Sequence, residues 1–96
     1  MSQSLGHKVI THTSATAATA TSVALAANSN RRFLAITNTH ATDAAWIQFV
    51  ADATAAIPSV RISAGVRLFY DAFVPTSVVN CIRGGSNDIS LSVEEG

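Results

Sequence analysis

The strongest constraint on this chain is a two-residue alternation of apolar and polar positions that is interrupted every few residues. Ile89-Ser90-Leu91-Ser92-Val93 alternates without a break, the pattern of a strand with one buried face. Similar short runs recur upstream at a spacing of about eight to twelve residues, with turn residues between them. Asn28-Ser29-Asn30, Ser63-Ala64-Gly65 and Gly84-Gly85-Ser86-Asn87-Asp88 supply those turns. No apolar stripe of helical period accompanies them. The pattern predicts an all-β chain: a small antiparallel β-sandwich of about 7–8 short strands, jelly-roll-like, with an extended N-terminal arm.

The alternation also assigns faces. In a strand over Arg31 to Asn38, Leu34 and Ile36 share one side, and Phe33 and Ala35 the other. In Ala44 to Val50, Ile47 and Phe49 oppose Trp46 and Gln48. Ala51 to Ser59 reads as a loop ended by Pro58, and Val60 to Ile62 as a short strand. In Val66 to Asp71, Val66, Leu68 and Tyr70 oppose Arg67, Phe69 and Asp71. Pro75 breaks the next stretch, and Ser77 to Arg83 follows as a strand.

Thr11 to Ala27 is different: nearly all Thr, Ala and Ser, with no large apolar side chain before Val23. β-Branched threonine disfavours a helix, so an extended arm or a weak edge strand fits best. Such a segment buries too little to order alone and must lie against its own sandwich or a neighbouring subunit. The expected organisation is an arm over residues 1–20 and a sandwich domain over residues 21–96.

Composition narrows the function. Six basic and six acidic residues cancel, and they are scattered. The basic footprint of a nucleic-acid binder is missing, and no apolar run approaches membrane-spanning length. The first residues, Met1 to Lys8, lack the apolar core of a signal peptide, which predicts synthesis in the cytoplasm. Cys81 stands alone in Val78-Val79-Asn80-Cys81-Ile82 and reads as a buried strand thiol, with an intermolecular bridge or a reactive thiol as the alternative. His7 and His12 are at odd spacing, so on a strand they face opposite ways and do not chelate one ion; His40 reads as a loop residue. Most of the carboxylates lie in or beside turns, and no pair is set for acid–base work. Neither a nucleophile elbow nor a phosphate loop is present. No catalytic, cofactor or metal site is expected, and the chain reads as a binding or assembly module.

For such a module the candidate interface residues are Trp46 and Phe69, both on the face opposite the expected core, together with Arg31, Arg32 and Arg67. Aromatic side chains concentrate at interface hot spots, and five arginines against one lysine favour bidentate pairing. The competing reading packs the two aromatics under the other sheet or the arm and leaves the arginines as ordinary surface charge.

The order of the elements resembles a group of small tailed-phage virion proteins. The matching segments are Asn30-Arg31-Arg32-Phe33-Leu34-Ala35-Ile36-Thr37-Asn38, Ala45-Trp46-Ile47-Gln48-Phe49, Ile62-Ser63-Ala64-Gly65, Val74-Pro75 and the closing Val93-Glu94-Glu95-Gly96. Val50-Ala51 stands where a glycine would be expected. The resemblance covers about residues 20 to 96 and carries no catalytic residue. It implies a capsid decoration, or cement, protein that binds the head shell in the virion through the major capsid protein or another virion protein, as a homo-oligomer with a trimer favoured. Similar sandwiches in tail and fibre components give the alternative, a lectin-like or receptor-binding module using Trp46.

Overall fold

Each alternating run becomes a strand, and all the strands pair antiparallel. The computed structural model describes residues 9–49 and 60–96. The strands are β1 (Thr11–Ala17), β2 (Ser22–Leu25), β3 (Leu34–Asn38), β4 (Ala45–Gln48), β5 (Val60–Ile62), β6 (Arg67–Tyr70), β7 (Val79–Arg83) and β8 (Ile89–Glu95). The expected loop over residues 51–59 lies outside the described residues. No helix occurs among those that are described.

The first sheet has the order β1-β8-β3-β6 and the second β2-β7-β4-β5. Partners are nested: β1 with β8, β2 with β7, β3 with β6, and β4 with β5. A long hairpin rolled on itself produces this nesting, and it is the jelly-roll topology. Two further pairings, β3 with β8 and β4 with β7, close each sheet.

The core lies between the sheets and is built of the residues that the alternation turns inward. Leu34 and Ile36 of β3, Ile89, Leu91 and Val93 of β8, and Val79 of β7 are fully buried. Ile47, Ile62 and Cys81 are nearly so. Phe49, Leu68, Tyr70 and Val74 pack at its margin, and the rings of Phe49 and Tyr70 meet edge to face at 5.7 Å. Strands run shorter than expected at several ends: the Arg31 to Asn38 run is regular only from Leu34, and the Ser77 to Arg83 run only from Val79.

Part of the expected N-terminal arm forms the weak edge strand that its composition allowed. Thr11–Ala17 is an edge strand of the first sheet, in continuous register with β8 from Thr11 opposite Glu95 to Ala17 opposite Ile89. Ala17 is fully buried. The chain then crosses to the second sheet, where Ser22 bonds to the Thr16 carbonyl and the Arg83 amide to the Ala18 carbonyl. Small side chains suit this crossing because they let the two sheets approach closely. Residues 1–8 lie outside the described part of the chain.

Two buried polar groups close the ends of the core. Asn38, fully buried at the end of β3, donates Nδ2 to the carbonyls of Asp43 and Ile62 at 2.9 Å, and its Oδ1 accepts the His40 amide. At the opposite end the Arg31 guanidinium is buried beside Glu95. Its Nε donates to Glu95 Oε1 at 2.9 Å, Nη1 to the carbonyls of Pro75 and Ser77, and Nη2 to that of Ala26. Asn28 Nδ2 donates to the same Glu95 oxygen. Removing one partner of a buried ion pair costs about 3–5 kcal/mol. Arg31→Ala should lower unfolding stability by an amount of that order, read from the denaturant midpoint; a loss within experimental error would show that the guanidinium is not needed.

Candidate interaction surface

The outer faces of the two sheets carry different chemistry, fixed by cross-strand register. On the first sheet, Phe69, Ala35, Glu94 and His12 form one row across β6, β3, β8 and β1. Arg67, Thr37, Ser92 and Ser14 form the next row. Towards β1 this face is small and hydroxylated, and His12 Nε2 meets Ser92 Oγ at 2.9 Å.

Towards β6 the same face turns aromatic and charged. Phe69 is half exposed and its ring meets Phe33 edge to face, with centroids 5.2 Å apart. The Arg67 guanidinium lies 5.8 Å from the Phe69 centroid, and its Nη2 reaches Glu94 Oε1 at 3.0 Å. The ion pair is exposed, so it orients the arginine more than it stabilises the chain. The cation over the ring adds about 0.5–1 kcal/mol at such a site. The result is an apolar ring held in place with a guanidinium beside it.

Beyond the end of β6 the chain presents Phe73. This side chain is fully exposed, at 101% of the reference area, and its backbone has φ of 53°. A bulky residue in the left-handed region is strained, and such strain is found at functional sites. Just after it, the Pro75 and Ser77 carbonyls accept hydrogen bonds from Arg31.

The second sheet presents Trp46. On its outer face Trp46 stands opposite Ile82 of β7 and Arg61 of β5, half buried. Its indole runs close along Gly84: a Cβ there would stand 2.8 Å from Nε1 and 2.9 Å from the Ala44 carbonyl. Glycine is needed at this turn for that approach.

The five expected interface residues therefore separate. Phe69 and Arg67 come together, joined by Phe33. Arg32 is exposed at the start of the β3 segment, and its amide bonds to the Gly96 carbonyl. Trp46 lies on the other sheet. Arg31 is a correction: it is 1% exposed and fully engaged inside the chain, so it does not offer a surface. Phe73 was not among the expected residues; its position between Asp71 and Pro75 was the signal available, since an aromatic in a proline-broken loop has no strand face to bury.

Among the described residues no three His, Cys, Asp or Glu side chains are grouped to hold a metal ion. Cys81 is buried in β7, within 3.7 Å of Ser22 Oγ, and burial pushes its thiol pKa up. His40 Nδ1 accepts the amides of Thr42 and Asp43. The Asp43 carboxylate accepts Asn87 Nδ2 and Thr42 Oγ1, and these bonds hold its pKa below the ordinary value. Comparison with family models, with curated proteins and with solved structures found no match.

A depressed folded pKa contributes stability above the unfolded value, which is lost as pH falls through the folded one. Asn87→Ala should therefore raise the Asp43 pKa toward the ordinary carboxylate value and move the acid loss to higher pH. An NMR titration of the Asp43 side chain checks this, and an unchanged midpoint would assign the shift to another group.

Proposed function

We propose that this chain is a non-enzymatic structural component of a tailed-phage virion, of the capsid decoration type. It is made in the host cytoplasm and seats on the head surface against the major capsid protein or another virion protein. The observation that carries the reading is Phe73, a fully exposed and strained aromatic beyond the end of the strand that presents Phe69 and Arg67. Exposed aromatics beside an arginine are the side chains that dominate protein–protein hot spots. The jelly roll is an architecture that viral capsid and lectin domains share, which agrees with the reading without deciding it. Repetition over a shell makes modest contacts additive through multivalency. A homo-oligomer, of which a trimer is the favoured form, would multiply them further.

Trp46 supports the second reading, a lectin-like or receptor-binding module of a tail or fibre. It is an indole on an outer face with Arg61 beside it, a combination able to stack on a sugar ring. The two readings use opposite sheets, so substitutions separate them.

The test is binding of the purified chain to phage heads stripped of their outer proteins. Phe69→Ala combined with Phe73→Ala should weaken binding on the order of 30-fold, the loss of a hot spot, with thermal stability little changed. Trp46→Ala should bind heads as the parent chain does. Undiminished head binding by the double variant would overturn the proposal. Loss of glycan or cell binding on Trp46→Ala alone would favour the tail reading.

A further inference from the structure

We infer that β1 is a self-association edge, on which a second copy of this chain adds its own β1 antiparallel to continue the first sheet. The inference rests on the sheet edges and stands apart from the particle the chain belongs to.

A sheet edge exposes a row of backbone donors and acceptors that can template another strand, and proteins usually blunt it with brevity, charge or a bulge. Three of the four edges here are blunted. β5 spans 3 residues and carries Arg61. β6 spans 4 and carries Arg67. β2 spans 4 and its register shifts between Val23 and Leu25. β1 is different: it runs 7 residues, Thr-His-Thr-Ser-Ala-Thr-Ala, with unbroken register and with neither proline nor Asp, Glu, Lys or Arg. Among the described residues it is paired on one side only.

Its sequence also fits itself. Antiparallel pairing centred on Ser14 sets Ser14 opposite Ser14 of the second copy and His12 opposite Thr16. Thr13 then meets Ala15, and Thr11 meets Ala17. Outward residues meet outward residues, so both sandwiches stay on the same side of the joined sheet. On the outer face Ser14 meets Ser14 and His12 meets Thr16, pairs able to share hydrogen bonds across the contact. No like charges are brought together, and the chain as a whole has zero formal charge. Val9 and Ile10, exposed just before β1, would lie over the Ala18–Thr19 turn of the second copy. A partner with a charged or bulky strand gains less from an edge this narrow than a second copy does.

The contact is two-fold, so it adds even numbers: a dimer from a monomer, or a hexamer from a trimer. Light scattering after size exclusion of the full chain, over a range of concentrations, should show such an even species. Ser14→Lys puts two ammonium groups face to face and should raise the midpoint concentration on the order of tenfold, with the circular dichroism unchanged. As a second readout, Ser14→Cys should oxidise to a covalent dimer far faster than Ser90→Cys, which is also exposed but lies on an inner strand. A monomer at every concentration, an oligomer of the same mass in Ser14→Lys, or equal cross-linking at the two positions would overturn the inference. A parent chain that is trimeric at every concentration, with no hexamer, would do so while leaving the decoration reading intact.

Discussion

The structure depends on one buried charge. The core is narrow, because alanine occupies several of its positions and its fully buried apolar side chains are aliphatic. Strands pair along the middle of the sandwich, and at the end where β8 finishes three loop carbonyls converge on one side chain. These belong to Ala26, Pro75 and Ser77, and the Arg31 guanidinium donates to each of them. Arginine suits the task because its planar fork carries several N–H groups in fixed directions and stays charged. Burying it would be prohibitive alone, and Glu95 offsets that cost at 2.9 Å. This one group therefore ties the β2–β3 connection, the β6–β7 connection and the last strand together.

That tie is what links the fold to the exposed aromatic surface. Phe73 adopts its strained backbone in the connection whose next residues are held on Arg31. Phe69 and Arg67 project from the strand leading into the same connection, and Glu94, next to Glu95, holds Arg67. A loop fixed at its far end can present an aromatic side chain in a set position, which lowers the ordering cost of binding. Asn38 does the corresponding work at the opposite end by fixing the β3–β4 connection beside Trp46. The two outer faces are thus supported by separate polar hubs.

The strands with large apolar side chains were legible in the sequence, because a two-residue period with Ile, Leu and Val on one side has few other solutions. β8 and β5 show this most clearly. β1 was legible only as one of two alternatives, an extended arm or a weak edge strand, and β2 was not separated from it, since Ala15 and Ala17 contrast too little with Ser14 and Thr16 to reveal a period. The roles of Arg31 and Arg32 were not legible either. They are adjacent and identical, and the carbonyls of residues 26, 75 and 77, the last two distant in sequence, decide which one turns inward. The outward positions of Trp46 and Phe69 followed from parity alone, but that they belong to different sheets required the strand order. Phe73 escaped because a period says nothing about a residue outside a strand.

A chain of 96 residues buries a smaller share of its surface than a larger domain, and alanine in the core reduces the gain further. Under those conditions an exposed Phe73, a half-exposed Phe69 and an unguarded β1 edge are each a cost to the isolated chain. Stability alone would favour polar residues at the first two positions and a charge on the third. The three features share one property: covering them with another protein surface turns the cost into a gain, since buried apolar area contributes about 25 cal/mol per Å². Their separation over one face, one loop and one edge means that more than one neighbour can be engaged at once. Binding that selects the folded chain then stabilises it by mass action. On the proposed reading, neighbours seated on these features are what would bring a small domain of this kind to its full stability.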